Sequence, residues 1–406
     1  MSRARRILVV ITAAARRGLR LAVPEDHRRL PRDPLEMAAR LLRFGAEVRV
    51  VDQQGEQLKG RVVRREARLW RADLVLLYAG GSRVRRDPVP DASPLEDLAH
   101  GWHAGCRVVA AGPLAELYAD ELVQRLPGLA GALRGDVSEA LVHAGPDDEV
   151  PGLWVAGRGG PEPLPRATDA DAAPAWQLLP LEAWARSDLN GKPVAGILTL
   201  PGDGPQDVKA SLELVRHAVH RTGAGRLDFE DDDLGARPEF ARRLARGMFS
   251  AAPGLPWSCR LRADHVDPML ALHLMQGGCT EVLLTAPSGA DAPGRLPMDD
   301  PDRAPIESAV ESLRVSGMSV QVEHVIGRPE HDLEILPAWH RWFHDRRMAV
   351  APRVRVLHAG AKGPAEPKLD EARARAGCWD NELRPRDVER AVRALLPLQA
   401  AVLARP

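Results

Sequence analysis

A run of consecutive acids forms the densest group of chemically capable side chains in the sequence. Glu230 ends the apolar-polar run GRLDFE at 225–230, and Asp231 and Asp232 follow it. This pattern predicts a strand ending at the acids. If that strand belongs to a parallel barrel, the acids lie at the carboxyl end, where barrel active sites are built. They could bind a cation or a substrate amine, or act as acid and base. The alternative is an acidic turn that is merely solvated.

An arginine and a glutamate end two further predicted strands. Arg262 closes LPWSCRLR at 255–262, and its guanidinium could hold a carboxylate or phosphate through two hydrogen bonds. Asp264 or Asp267 more plausibly caps the next helix. A glutamate late in MSVQVEHVI at 318–326 needs a partner if buried, so we expect Glu323 to pair with Arg262. That pair could be purely structural. The predicted catalytic set shares one cavity and comprises Glu230, Asp232, Arg262 and Glu323.

Glycines follow two predicted strands in the N-terminal third of the chain. Gly80 and Gly81 come after ADLVLLYA, and Gly112 with Pro113 comes after CRVVAA. At the carboxyl edge of a parallel sheet such residues let a cofactor approach the backbone. Glycine is equally expected there for tight turns.

Metal binding has one candidate. His340 and His344 in WHRWFHDRR are four residues apart and could chelate an ion from one helix face. No third ligand follows, so a half-exposed helix with aromatic packing is the favoured interpretation, and we predict no metal site. The sequence has four cysteines, Cys106, Cys259, Cys279 and Cys378. No two of them have the CxxC spacing that is typical of metal sites.

The surrounding elements predict an α/β protein. Residues 1–145 alternate strand and helix patterns, typical of a doubly wound parallel sheet. Residues 146–190 are rich in Pro, Gly and Asp and are predicted to be a linker. Residues 191–360 repeat six strand–helix units, too few for a complete eight-unit barrel. Residues 361–406 contain a turn region and a final amphipathic helix.

Composition excludes several classes of protein. The 406 residues carry 56 basic and 56 acidic side chains, so nothing indicates a nucleic-acid partner. No apolar run approaches the roughly 20 residues of a membrane span, and the basic N-terminus precedes what reads as a first strand. We therefore expect a cytoplasmic protein without membrane contact.

Several segments together resemble the cobalamin-binding-domain radical SAM family. They are PLEMAARLLRFGAEVRVVD, ADLVLLYAGG, CRVVAAGPLAELYADELV, LRGDVSEAL, APAWQLLPLEAW, GRLDFEDDDL, LPWSCRLRADHVDPMLALHLMQGGCTEVLL and SVQVEHVIGRPEHD. Their order and spacing cover roughly residues 1–355. The resemblance implies a Rossmann-like (flavodoxin-like) cobalamin-binding domain, followed by a partial (β/α)6 radical-SAM-like barrel of the TIM type.

The chain departs from that family at one motif. In the family, the first barrel strand runs into a CxxxCxxC loop that holds a [4Fe–4S] cluster. Here GILTL at 196–200 runs into PGDGPQDVKASLELV, and no cysteine lies between Cys106 and Cys259. Because a cluster requires thiolate ligands, we predict that it is absent.

The other two cofactors stay open. The family's fourth barrel strand often ends in a turn with a glutamate near the SAM ribose, whereas here the turn is Thr285 to Ser288, TAPS. The turn GRPE is retained, so Gly327 and Glu330 are candidate SAM contacts, although SAM binding is in doubt. Cobalamin remains a candidate without the DxHxxG lower-ligand motif, which many family members also lack.

Two classes of function follow. The first is a degenerate, non-catalytic binding, regulatory or partner subunit that holds a small molecule in its barrel and could work beside an intact radical SAM enzyme. The second is a methyltransferase-like enzyme of the same class with altered, cluster-independent chemistry.

Overall fold

The computed structural model divides into two compact units. The described residues up to 181 form the first unit and those from 192 onward form the second. The residues that the structure describes are 4–12, 30–53, 55–79, 92–145, 148–158, 160, 173–181, 192–199, 205–288, 295–326 and 335–354. The predicted C-terminal tail, 361–406, lies outside them.

The first unit is built on a six-stranded sheet. Its strands are β1 (Arg6–Ile11), β2 (Glu47–Asp52), β3 (Leu74–Tyr78), β4 (Arg107–Ala111), β5 (Gly131–Leu133) and β6 (Leu153–Trp154). Their order is β2-β1-β3-β4-β5-β6, and all pairs are parallel except β5 with β6. Strand β3 is apolar throughout and β1 is apolar after Arg6, because central parallel strands are covered on both faces. The order of β1 to β5 is that of a flavodoxin-like sheet.

Helices alternate with these strands. They are α1 (Arg32–Arg43), α2 (Gly60–Trp70), α3 (Ser93–Glu96), α4 (Pro113–Arg125) and α5 (Glu139–His143). Helix α1 buries Leu35, Ala38 and Leu41 at helical spacing against the sheet. The stretch 146–190, expected to be a linker, contributes β6 and a 3-10 turn at Trp176–Leu178 to this unit. Trp176 is buried there, because Leu, Val and Trp side chains in the Pro-rich stretch can still join a core.

The second unit is a parallel sheet whose strands follow chain order. They are β7 (Val194–Ile197), β8 (Arg226–Phe229), β9 (Trp257–Arg262), β10 (Cys279–Thr285), β11 (Ser319–Ile326) and β12 (Ala349–Val354). Its helices are α6 (Pro205–Thr222), α7 (Pro238–Ala251), α8 (Pro268–Gln276), α9 (Arg303–Val315) and α10 (Leu336–Asp345). Six strands in sequence order with intervening helices make a partial barrel. The predicted α/β fold is thereby confirmed.

Local signals explain where these helices begin and end. Asp267 caps α8 by accepting a hydrogen bond from the Leu270 N–H at 2.6 Å. The helix stops at Gly277 and Gly278, and Gly278 has the positive φ of 89° that glycine tolerates. None of the described helices is long and apolar enough to cross a membrane.

The two faces of the second sheet differ in polarity. Side chains alternate along a strand, and one set is apolar and buried: Leu227, Phe229, Trp257, Leu261, Val282, Leu284, Val320 and Val322. The alternate set, called here the polar face, is mostly polar and includes the apolar Leu283 beside Arg226, Asp228, Glu230, Ser258, Arg260, Arg262, Glu281, Gln321 and Glu323. The polar face therefore determines what chemistry this unit can support.

Candidate functional site

Ion pairs and hydrogen bonds cross the polar face from strand to strand. Near the amino ends of the strands, Arg226 on β8 forms an ion pair with Glu281 on β10, which also accepts a 2.9 Å hydrogen bond from Gln321 Nε2. Next to them, the Ser258 hydroxyl donates to Asp228 at 2.6 Å. Buried charges are costly unless paired, and these contacts pair the charged side chains in the lower part of the polar face with one another.

Arg260 lies at the centre of the upper layer. Its guanidinium is 3.3 Å from the Glu323 carboxylate on β11 and 3.6 Å from the Asp232 carboxylate after β8. The side chains of Arg260 and Glu323 are 8% and 6% exposed, whereas that of Asp232 is 80% exposed. One buried cation thus joins a buried acid to an acid that is open to solvent.

The predicted pairing of Glu323 with Arg262 is wrong, since Arg260 takes that place. Arg262 instead binds Asp264 through two hydrogen bonds, at 2.6 and 3.0 Å. Asp264 is only two residues from Arg262, so forming this ion pair costs little loop-closure entropy. The Arg260 side chain is buried and lies close enough to contact Asp232 and Glu323. Of the predicted set, Asp232 and Glu323 therefore meet at Arg260, and Arg262 belongs to a separate group.

That separate group contains a histidine and an aspartate. His265 Nδ1 lies 2.6 Å from Asp233 Oδ2, and His265 Nε2 lies 2.7 Å from Arg262 Nη2. The other Asp233 oxygen accepts the backbone N–H groups of Gly235 and Arg262, both at 3.0 Å. The hydrogen bond and charge of Asp264 raise the pKa of Arg262. The result is a chain of four charged or ionisable side chains at the ends of β8 and β9.

The loop after β7 is fixed by Asp231. The Thr199 N–H donates to Asp231 Oδ2 at 3.1 Å, and the Thr199 hydroxyl donates to the other oxygen. Arg237 donates to the same hydroxyl and lies 3.4 Å from Asp231. Asp231 is therefore a structural acid that anchors the first residues of this loop.

Glu230 lies over the backbone of β7. A β-carbon added to Gly196 would contact Glu230 Oε1 and lie 2.8 Å from its carboxyl carbon. Glycine at 196 thus provides the space that the buried Glu230 side chain occupies. Glu230 comes two residues after Asp228, just past the end of β8, and so continues the polar face.

The turn after β10 is held by an acid that lies outside it, just before α9. Ser288 donates its N–H to Asp302 Oδ1 at 3.1 Å and its hydroxyl to Oδ2. Asp302 lies just before α9 and is buried. The carboxylate near this turn therefore serves to hold the turn itself.

The predicted cofactor glycines are only partly described. Gly80, Gly81, Gly327 and Glu330 lie outside the described residues. Gly112 has φ of 88°, and a β-carbon there would lie 2.8 Å from the Ala79 carbonyl and 3.0 Å from the Tyr78 ring. Pro113 follows as the first residue of α4. Close packing against β3 is thus sufficient reason for glycine at 112.

The amino edge of the first sheet has a cavity of about 850 Å³. Polar side chains line it, from Arg5, Asp73, Cys106, Arg107 and His143. Both arginines bind carbonyl oxygens at the end of α5 and just beyond, Arg5 reaching Ala144 at 2.9 Å and Arg107 reaching Gly145 at 3.0 Å. Burial and the Arg107 charge lower the pKa of Arg5. This cavity lies opposite the edge where ligands of parallel sheets bind.

Thiols and histidines do not form a metal site among the described residues, where no group of three or more His, Cys, Asp or Glu side chains could hold an ion. Cys259 and Cys279 are buried on neighbouring strands, and a hydrogen bond between them together with burial raises the pKa of Cys259. The His340 and His344 rings stack 6.5 Å apart. Trp339, Trp342 and Phe343 on the same helix pack against one another, as the aromatic interpretation predicts.

Sequence reasoning missed three of the functional candidates. Arg260 could have been found from strand alternation, because it shares a face with Arg262 and Asp228. Asp233 and His265 are 32 residues apart and no local motif joins them. Their pairing depends on the adjacency of β8 and β9, which only the fold provides.

The chain matches no protein-family model and no curated protein. Among solved structures it is similar to the radical SAM methyltransferase TsrM from Kitasatospora setae, solved with cobalamin and a [4Fe–4S] cluster. That alignment covers 98% of this chain and 89% of TsrM, with 16% identity and a TM-score of 0.64. A TsrM structure with tryptophan substrate and a SAM analogue aligns with 97% of this chain and 89% of its own, at 16% identity and a TM-score of 0.63.

A second protein has the same architecture. The cobalamin-dependent SAM radical enzyme OxsB, solved with aqua-cobalamin and SAM, aligns with 95% of this chain and 56% of its own length, with 11% identity and a TM-score of 0.60. At such identities the likeness concerns the fold. The chain therefore has the fold of the cobalamin-dependent radical SAM enzymes.

Proposed function

We propose that this chain is a cluster-free relative of the cobalamin-dependent radical SAM enzymes that acts as a binding, regulatory or partner subunit. The observation that carries the proposal is the connection between β7 and α6. Residues 198–204 read LTLPGDG and contain no cysteine, and Thr199 within them is tied to Asp231 and Arg237. The family resemblance assigns the cluster to this connection.

The side chains at this connection do not fit a cluster. Iron–sulfur clusters need thiolates, and the two described thiols of this unit are buried on β9 and β10 rather than in a loop. Without a cluster, SAM has no electron donor for reductive cleavage. The proposal therefore includes no radical chemistry.

The upper polar layer supports ligand binding instead. Burying an arginine and a glutamate costs desolvation free energy that an apolar pair of the same size would not cost. Arg260 also contacts Asp232, whose side chain is exposed to solvent. A polar small molecule that displaces Asp232 could bind Arg260 without disturbing its bond to Glu323. We expect an anionic group on that ligand, because guanidinium groups bind carboxylates and phosphates.

The proposal includes cobalamin as a ligand of the first unit. The segments after β1 to β4 share the carboxyl edge of the sheet, where parallel sheets bind their ligands. Thr12, Gln53, Ala79 and Gly112 begin these segments. As a subunit without a cluster, the chain would work beside an enzyme that carries one.

Anaerobic reconstitution tests the central statement. The purified protein is incubated with ferrous iron, sulfide and reductant and is then desalted. Its iron and sulfide contents are measured, together with the broad visible absorbance at about 400 nm that an iron–sulfur cluster would add. A cysteine-containing radical SAM protein treated in parallel is the positive control. We expect background iron and sulfide in this chain. A stoichiometric cluster would contradict the proposal.

A further inference from the structure

A second group at the carboxyl ends of β8 and β9 has a different chemical character from the Arg260 layer. It contains Asp233, Arg262, Asp264 and His265, and it is called here the histidine group. The exposed fractions of the Arg262, Asp264, His265 and Asp233 side chains are 39%, 36%, 27% and 17%. The group is therefore ordered by its own contacts while remaining open to solvent.

The hydrogen bonds of His265 determine its tautomer. An arginine has only donors, so the 2.7 Å contact between Arg262 Nη2 and His265 Nε2 requires that Nε2 accept. The proton of a neutral imidazole must then be on Nδ1, where it is donated to Asp233 Oδ2 at 2.6 Å. Both contacts agree on one species, neutral histidine with a lone pair on Nε2.

Asp233 is held in place to support that species. Its Oδ1 accepts two backbone N–H groups, from Gly235 and Arg262, each at 3.0 Å. Its Oδ2 is thereby aimed at the imidazole. A carboxylate in this position fixes the ring orientation and stabilises an imidazolium if Nε2 takes up a proton.

Arg262 covers the lone pair but is not bound to His265 alone. Its strongest contacts are the two hydrogen bonds to Asp264, a side chain that is itself over a third exposed. A carboxylate or phosphate from solution offers the same two acceptor oxygens as Asp264. Binding of such an anion would draw the guanidinium away and uncover Nε2.

We propose that His265 is a general base, positioned by Asp233 and uncovered when an anionic ligand binds Arg262. The ligand carries a carboxylate or phosphate and an O–H or N–H within reach of Nε2. That proton moves to Nε2, the electron pair of the broken bond stays on the ligand atom, and Asp233 faces the resulting imidazolium. This activity goes beyond ligand binding at Arg260, because it adds a proton-transfer step to the binding role of the proposed function and needs no cluster.

Carbethoxylation by diethyl pyrocarbonate tests the state of Nε2, because only an unprotonated imidazole nitrogen with an accessible lone pair attacks the carbonyl carbon of the reagent. The rate at each histidine is read by peptide mass spectrometry. His344, whose side chain is 71% exposed, is the internal control. We expect His265 to react slowly in the wild type and about tenfold faster in Arg262→Ala, the scale of one charge-assisted hydrogen bond. His344 should react equally in both proteins.

Inorganic phosphate is the probe for the anion. In the wild type, millimolar phosphate should increase the rate at His265, and in Arg262→Ala it should have no effect. Arg262→Lys, which keeps the charge but not the paired donors, serves if the alanine variant folds poorly and should also react faster. Equal rates at His265 in the wild type and the variants, or no response of the wild type to phosphate, would overturn the proposal.

Asp233 is a positioning residue and needs a separate measurement. In protein labelled with ¹⁵N-histidine, we expect the nitrogen shifts of His265 to report a proton on Nδ1. Asp233→Asn should shift this population towards the other tautomer, whereas a purely structural role would leave it unchanged. An Nε2–H tautomer in the wild type would contradict the assignment.

Discussion

The Arg260 guanidinium lies 3.3 Å from the Glu323 carboxylate across β10, with both side chains less than a tenth exposed. The same guanidinium lies 3.6 Å from Asp232, which is open to solvent. Arg260 therefore contacts two acids, of which Glu323 is buried and Asp232 is exposed.

This difference predicts unequal effects on stability. Glu323→Gln removes the buried countercharge and leaves Arg260 desolvated, so we expect a loss of about 3 kcal/mol in the free energy of unfolding. Asp232→Asn removes a solvated charge and should cost about 0–1 kcal/mol. Urea unfolding followed by tryptophan fluorescence measures both. Similar losses in the two variants would show that the ion pair is not the stabilising contact.

A second prediction concerns the two reasons for glycine at 112. Gly112→Ala meets an unfavourable positive φ and a contact with Ala79 and Tyr78. Gly105→Ala is the matched control, since Gly105 has φ of 81° but no atom within 4 Å of an added β-carbon. We expect the control to lose ~1–2 kcal/mol from its positive φ. Gly112→Ala should lose a further ~1–3 kcal/mol from overpacking and from its ψ of −173°, which essentially only glycine adopts at this φ. Thermal and urea unfolding provide the comparison, and equal losses would exclude the packing contribution.

A third prediction concerns Cys106 in the amino-edge cavity. Burial and then the Asp73 charge raise the pKa of this thiol from 9.0 to about 11. A raised pKa favours the neutral thiol, so near pH 8 its thiolate fraction should be about a hundredfold lower than in the unfolded chain. Iodoacetamide labelling at Cys106, followed by mass spectrometry, should therefore be slow and increase up to about pH 11. Asp73→Asn should increase the rate at a given pH; fast labelling of the wild type at pH 8 would contradict the prediction.

The fold could be predicted further than the site. The apolar strand β3, the alternating strand β9 and the caps Asp267 and Gly278 are local signals, and the structure confirms them. Partner choice among charged side chains is not local. The sequence offers Glu323 two arginines on the same face, and which one reaches it depends on strand stagger and on the competing Asp264. The Asp233–His265 contact likewise exists only once β8 and β9 are adjacent.

The last prediction concerns how cobalamin would be bound. The three described histidines of the first unit lie towards the amino edge of its sheet. His143 lines the cavity there with Arg5, and the His103 carbonyl accepts the N–H of Cys106 just before β4. His100 neighbours Gly128, which precedes β5. Ligands of such sheets bind at the opposite, carboxyl edge, so none of these three imidazoles should be a cobalt ligand.

Titration with hydroxocobalamin, followed by the corrin absorbance bands, measures this. We expect saturable binding whose bound spectrum is the same in the wild type and in the His100→Ala, His103→Ala and His143→Ala variants. Gly112→Ala, at the carboxyl edge, should weaken binding if the protein still folds, and Gly105→Ala at the amino edge should not. A bound spectrum that changes when one of the three histidines is replaced would contradict the predicted ligation. Failure of hydroxocobalamin to bind the wild type at all would instead remove cobalamin from the proposed function, while leaving the predictions for Arg260 and His265 intact.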